Sequence, residues 1–226
     1  MIKTARTGKK FEEKSSKKLP NLKREKQTEP VRGYVKLSDA ANAFNYDFRN
    51  KVVLDIGSST GGFTEYALSR GAKKVIAVEK GSHQMKAPLR FDPRIELHEK
   101  TDIFDIKAKE LSGEQCQDQT TTIHPVPDVI VADVSFISLR PILKHVKKYL
   151  ADTHTDFLVM LKPQFEATPS DLNKGVVKNE KIRRQIIKDF ELWLKQNGFL
   201  IIKKRDNTLH GKTGNLERFF FLKISS

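Results

Sequence analysis

The sequence predicts an α/β fold: a seven-stranded, mostly parallel sheet with one antiparallel strand and helices on both faces. Three observations carry this. Seven short apolar runs, at 51–56, 74–79, 95–99, 128–134, 157–162, 199–205 and 218–224, have strand length and alternate with helical patterns. Several of them, such as VVLDI and FLVML, are nearly continuous in apolar residues, as strands covered on both faces are. The last two are joined by a loop with no room for a long helix, so they form a hairpin and bring in one antiparallel strand.

Each element follows in order. Residues 1–32 hold eleven Lys and Arg and four Glu, a net of +7 and half of the +14 on the 226-residue chain. Few residues there are apolar and no period holds. This segment reads as a disordered basic tail, and 33–226 as the folded domain. KLSDAANAF then sets Leu37, Ala40, Ala41 and Phe44 on one helical face. KVVLDI leads into a glycine turn, KVIAVE ends on Glu79, and IELHE precedes Asp102. DVIVADV carries Asp133 near its end, and FLVMLK ends on Lys162. Over 179–196, Ile182, Ile186, Phe190 and Leu194 recur at helical spacing before a closing Asn-Gly. FLIIKKR and RFFFLKI complete the sheet. Seven strands ending in a hairpin is the Rossmann-like architecture of class I methyltransferases.

Composition narrows the partner. A formal charge of +14 favours a polyanion, nucleic acid first. Cys116 is the one cysteine, so no disulfide forms within the chain, which fits a reducing cytoplasm. No run reaches the roughly 18 to 20 apolar residues that cross a bilayer, and the N-terminus lacks a hydrophobic signal core. Neither membrane insertion nor secretion is expected.

The glycine turn, DIGSSTGG, selects its ligand by spacing and charge. Gly57, Gly61 and Gly62 give G-x-x-x-G-G, wider than the dinucleotide fingerprint. No lysine follows to hold a phosphate. Asp55 beside the turn repels phosphate but suits the ammonium and sulfonium of S-adenosylmethionine. Glu79, 24 residues on, ends the second strand, where an acid accepts ribose hydroxyls. Asp102 is placed to meet the adenine amino group. No metal site is expected.

The acceptor is narrowed by absence. Cys116 lies in a polar stretch away from any strand end, so it is no nucleophile for cytosine carbon. The position after the fourth strand reads ADVSFISL, without the paired prolines of base amino-methylating enzymes. Lys162 instead follows an apolar strand, where an ammonium is expensive unless paired or active. It is a candidate base for a hydroxyl, and Asp133, Glu217 and Lys36 are the candidates to hold it.

The runs RGYVKL, LDIGSSTGGFTEYALSRGAKKVIAVE, LHEKTDI, ADVSFISL, LVMLKPQFEA, KGVVKN and GKTGNLERFFFL resemble the TlyA, or hemolysin A, family. These are ribosomal-RNA ribose 2'-O-methyltransferases with an FtsJ-like catalytic domain. The resemblance spans 32–223 and implies S-adenosylmethionine as cofactor, a cytidine ribose of ribosomal RNA as acceptor, and ribosomal subunits as partners. It implies a catalytic tetrad at Lys36, Asp133, Lys162 and Glu217. Lys162 is then the base, Asp133 and Glu217 fix its charge and geometry, and Lys36 orients the ribose. Cofactor residues are implied at Asp55, Gly57, Ser58, Gly61, Gly62, Glu79 and Asp102.

Two features depart from the family. The basic tail stands where members carry an N-terminal RNA-binding domain, and Tyr34 replaces the second glycine of the R-G-G-x-K-L motif. Further basic clusters at 144–148, 181–184 and 203–205 are candidate RNA contacts, and the loop 174–179 is a candidate cover for the substrate. Two other readings stay open: a non-catalytic RNA-binding or assembly factor, and a membrane-active haemolysin.

Overall fold

The computed structural model of the chain describes residues 31–108, 111, 121–209 and 214–225. The basic tail expected before the domain, up to residue 30, and Cys116 lie outside the described residues. The order is α1 (Arg32–Phe44), β1 (Val52–Ile56), α2 (Gly62–Ser69), β2 (Lys74–Glu79), β3 (Ile95–Glu99), β4 (Ile106–Ala108), β5 (Thr121–Ile123), β6 (Val129–Ala132), α3 (Leu139–Tyr149), β7 (Asp156–Leu161), α4 (Glu180–Gln196), β8 (Phe199–Asp206) and β9 (Arg218–Ile224).

All seven expected strands enter one sheet, ordered β3-β2-β1-β6-β7-β9-β8. β9 lies between β7 and β8 and is antiparallel to both, as the terminal hairpin requires. The remaining pairs are parallel. From β1 the chain winds outward through β2 and β3, then returns to add β6 on the other side. The carboxyl ends of β1 and β6 thus flank a switch point, where an open sheet leaves a crevice.

Strand alternation divides the core into two layers. Val53, Val75, Val131, Leu158 and Phe219 meet Leu37, Phe44, Phe63 and Tyr66 of α1 and α2. Leu54, Ile76, Ile130 and Phe157 meet Leu143, Val146, Phe190 and Leu194 of α3 and α4. Each such side chain contributes roughly 1.5–3 kcal/mol on burial.

Several boundaries shift by a residue or two, β6 ending at Ala132 rather than at 134, and two differences matter for the site. α1 begins at Arg32 rather than at Lys36, without a side-chain cap at Val31. Its first turn is held instead by packing, Gly33 lying against Gly62 of α2. β7 begins at Asp156 and ends at Leu161, so Lys162 is the first residue beyond the strand. A small parallel pair, β4 with β5, stands apart from the main sheet; three-residue strands leave too short an apolar pattern to read.

The C-terminal end of α1 is fastened to β8. Lys203 Nζ donates to the Phe44 carbonyl at 2.6 Å, and Arg205 and Thr208 both reach Asp39. Asn45 closes the helix in the left-handed region at φ 53°. These contacts fix the helix that carries Lys36.

Candidate active site

The glycine turn is a consequence of close approach. Gly57 and Gly61 have φ of +79° and +91°, which side-chain-bearing residues rarely adopt. A Cβ on Gly62 would sit 2.7 Å from Tyr34 N and 2.8 Å from Gly33 Cα, so α1 approaches α2 this closely because residue 62 is glycine. The Gly57 and Ser58 N–H groups donate to the Val78 carbonyl at 2.9 and 3.2 Å, tying the turn to β2. Beyond the turn opens a cavity of about 710 Å³, lined by Gly57, Ser59, Glu79, Asp102, Phe104 and Asp133 among others.

Asp55 departs from the expectation that it faces the ligand directly. It is fully buried and absent from the cavity lining. As an alternate residue of β1 it shares the face of Val53, beneath α2, and one oxygen accepts from the Thr64 hydroxyl at 2.6 Å. Burial pushes its carboxyl up to about 7, opposed by the Thr64 hydrogen bond and reinforced by Asp133 and Glu79. Its other oxygen, Oδ1, and the buried Ser58 hydroxyl oxygen have no hydrogen-bond partner in the structure. Such orphans are costly unless a ligand or water meets them.

Glu79 and Asp102 line the cavity as expected, already engaged by the protein. Glu79 Oε2 accepts from Ser59 N–H at 2.9 Å, and Oε1 from Gly81 N–H at 2.6 Å and from Gln84 at 3.2 Å. Asp102 pairs with Lys80 at 2.9 Å and accepts from the Phe104 N–H. Burial alone would raise the Asp102 carboxyl, but the Lys80 and Phe104 hydrogen bonds outweigh it and hold it low.

The four remaining site residues form one alternating chain of charge. Glu217 lies 2.7 Å from Lys36, Lys36 lies 3.6 Å from Asp133, and Asp133 lies 2.6 Å from Lys162. This corrects one assignment: Glu217 holds Lys36, not Lys162. The cause is topology, because Glu217 immediately precedes β9 and lies within reach of α1, while Lys162 follows β7 and turns toward β6. Lys162 Nζ also donates to the Ser135 hydroxyl at 2.8 Å and lies 6.0 Å from the Phe165 ring centre. A lysine held this way, one-tenth exposed beside a cavity, can exchange a proton with a hydroxyl brought to it.

The backbone around Glu217 is itself braced. Arg183, a buried residue of α4, donates to the Leu216 carbonyl and pairs with Glu180 and Asp206. Asn215 accepts from the Val177 N–H and donates to the Gly175 carbonyl, so the 174–179 loop is tied to the segment before Glu217.

Most basic clusters turn out to be structural. Lys147 caps the carbonyls of Asn197 and Gly198; Lys203, Lys204 and Arg205 bind Phe44, Glu191 and Asp39. Tyr34 stacks edge-on against Tyr66, 5.1 Å between centroids, and reaches Ser69, so it packs on α2.

Sequence reasoning missed Phe136. It is 92% exposed, with φ of 66°, and lines the cavity next to Ser135. An exposed aromatic in a left-handed backbone at a site is strain that the surroundings enforce. Its one signal in the sequence was its place just past the fourth strand.

Comparisons with known proteins agree with this geometry. Residues 30–224 match the FtsJ-like methyltransferase family. Hemolysin A of Brachyspira hyodysenteriae is 36% identical over 183 residues, covering 80% of this chain and 71% of that protein. The 23S rRNA (cytidine-2'-O)-methyltransferase TlyA of Campylobacter jejuni is 31% identical over 192 residues, 84% of this chain and 69% of that one. A solved structure from Streptococcus thermophilus, assigned as a hemolysin, superposes with a TM-score of 0.78 at 29% identity, covering 90% of this chain and 70% of that one. The chain spans 62–71% of the length of these and other curated relatives it matches. Among the described residues, no helix is long and apolar enough to cross a membrane. With the doubly wound sheet, the glycine turn at its switch point and the Lys-Asp-Lys-Glu cluster in place, the chain belongs to the TlyA, or hemolysin A, family of FtsJ-like methyltransferases.

Proposed function

We propose that this domain transfers a methyl group from S-adenosylmethionine to a ribose 2'-hydroxyl of ribosomal RNA, with Lys162 as the general base. The observation that carries it is the contiguous series Glu217, Lys36, Asp133 and Lys162, whose member Asp133 lines the cavity beside the glycine turn. The relatives named for cytidine 2'-O-methylation of 23S or of 16S and 23S rRNA support cytidine as the nucleotide. The formal charge of +14 supports a polyanionic substrate. RNA in the cytoplasm, free or within ribosomal subunits, is the partner this reading requires.

The residues fit the cofactor. The Ser58 hydroxyl is an unpartnered polar group at the turn that a ligand can meet, and the acids lining the cavity, Glu79, Asp102 and Asp133, favour a cationic group over a phosphate. Glu79 is the candidate for the ribose hydroxyls and Asp102 for the adenine amino group, with Ile103 and Phe104 supplying apolar wall. When bound, S-adenosylmethionine supplies a methyl on a sulfonium.

On the acceptor side, Lys162 in its amine form takes the 2'-hydroxyl proton on Nζ. Asp133 and Ser135 aim that amine, and Lys36, held by Glu217 beside Asp133, orients the ribose. Phe136 offers an exposed ring on which the target base can stack. Positioning of this kind supplies much of the rate in such transfers.

The test is methyl transfer from labelled S-adenosylmethionine to ribosomal RNA and to isolated subunits. The product is mapped by resistance of the methylated linkage to alkaline hydrolysis. One or a few resistant cytidines are expected. Label on a base atom, or no label on either substrate, overturns the reading.

A further inference from the structure

Glu166 closes the far end of the short segment that begins with Lys162. Its side chain is 2% exposed. Oε1 accepts from the Leu139 N–H at 2.8 Å, and Oε2 from the Ser138 hydroxyl, also at 2.8 Å. Arg140 Nε stands 3.4 Å away. Ser138 caps α3 and Leu139 is its first residue, so the carboxylate takes up one of the first-turn N–H groups at the positive end of the helix.

Two segments therefore run side by side from the site. One, 133–139, leads from Asp133 to the start of α3. The other, 162–166, leads from Lys162 through a 3₁₀ turn at Pro163–Phe165. They are joined at the near end by Lys162 with Asp133 and Ser135. They touch midway through Phe136 and Phe165, whose centroids are 5.4 Å apart. At the far end only the Glu166 carboxylate joins them by hydrogen bonds, and all of its partners belong to the first segment or to the residue after it.

We infer that Glu166 is a positioning residue for Lys162: by pinning the 162–166 turn to the start of α3, it sets where the Lys162 ammonium stands relative to Asp133. It touches no reacting atom. The role assigned to it rests on the reading of Lys162 as the base. A displacement of about 1 Å at such a group can cost as much as 100-fold in rate.

Glu166→Ala removes both acceptors. Glu166→Gln keeps the shape, and its amide can still accept from Leu139 and donate to Ser138. In Glu166→Ala, kcat at saturating RNA and cofactor is expected to fall about 10- to 100-fold. KM for RNA and cofactor affinity should stay near wild type, and Glu166→Gln should recover much of the loss. A second readout does not need turnover: trace acetylation of the Lys162 amine by acetic anhydride, followed by mass spectrometry. Lys162 labelling should rise in Glu166→Ala, and less in Glu166→Gln, while Lys36 labelling stays constant. If Glu166→Ala does not fold, Ser138→Ala, which removes one of the two hydrogen bonds to the carboxylate, takes its place in both readouts. Unchanged Lys162 labelling in the folded variants overturns the inference. So does a rise shared equally by Lys36 with loss of cofactor affinity, which marks general loosening. If Lys162 labelling responds as expected but wild-type protein methylates no ribose hydroxyl, the positioning stands and the general-base reading fails.

Discussion

The ammonium of Lys36 lies 2.7 Å from the carboxylate of Glu217, with both side chains under a tenth exposed. Removing Glu217 leaves Lys36, in a poorly solvated place, with only the longer contact to Asp133 at 3.6 Å, which costs up to about 3–5 kcal/mol. Glu217→Ala is expected to lower Tm by about 6–20 °C for a domain of this size. Lys36→Met combined with Glu217→Leu removes both charges and keeps the volume, so it should recover most of that stability while transferring no methyl. Scanning calorimetry beside a transfer assay separates the two effects. A double variant as unstable as the single one would contradict this account.

Lys162→Ala leaves Asp133 with Lys36 as a partner, so the fold should survive. Loss of a general base costs about 10²–10⁴-fold in kcat. Cofactor affinity by titration calorimetry should stay near wild type, because Lys162 lies on the acceptor side. Full transfer by this variant would refute the base assignment.

Asp55 predicts a pH dependence. Its folded carboxyl value, about 7, stands above the ordinary 3.8, so the folded chain binds this proton more tightly than the unfolded chain. Its contribution to stability is full below 3.8 and is lost as pH rises toward 7. Stability should therefore fall between about pH 4 and pH 7 more steeply in the wild type than in Asp55→Asn. Denaturant titrations at several pH values measure both slopes, and equal slopes would exclude Asp55 as the group responsible.

Gly62→Ala forces a Cβ against backbone atoms at 2.7 and 2.8 Å, which no rotamer can relieve. Overpacking of this kind costs about 1–3 kcal/mol. The displaced element is α1, which carries Lys36, so transfer should fall more than stability alone explains. Gly175→Ala is the contrast. Nothing lies within 4 Å of its added Cβ, so only its φ of +78° is disturbed. Thermal melts and initial rates of both variants check the pair, and equal effects on rate would contradict the argument.

Much of the fold was legible because several strands, such as β6 and β7, are nearly continuous in apolar residues, and burial on both faces writes itself into the sequence that way. The start of α1 was not, since Gly33 is a poor helix former and Val31 gives no capping side chain. Lys36 shares a helical face with Ala40 and Phe44, yet its own charge hides that it belongs there. The four charged residues could be named singly, but their pairing depended on β9 inserting beside β7, which no local pattern encodes. The burial of Asp55 could have been read, because it alternates with Val53 and a threonine follows nine residues on. Glu166 gave no separate signal, because its partners lie 27 and 28 residues away.

The series Glu217, Lys36, Asp133, Lys162 holds two formal positive and two formal negative charges, while the whole chain carries +14. With Lys162 as the amine that accepts the proton, the series carries no net positive charge, so the attraction for a polyanion resides elsewhere on the molecule. Ionic strength should then act on one step and spare the other. Added salt weakens RNA capture through counterion competition, raising KM, while kcat at saturating RNA holds steady.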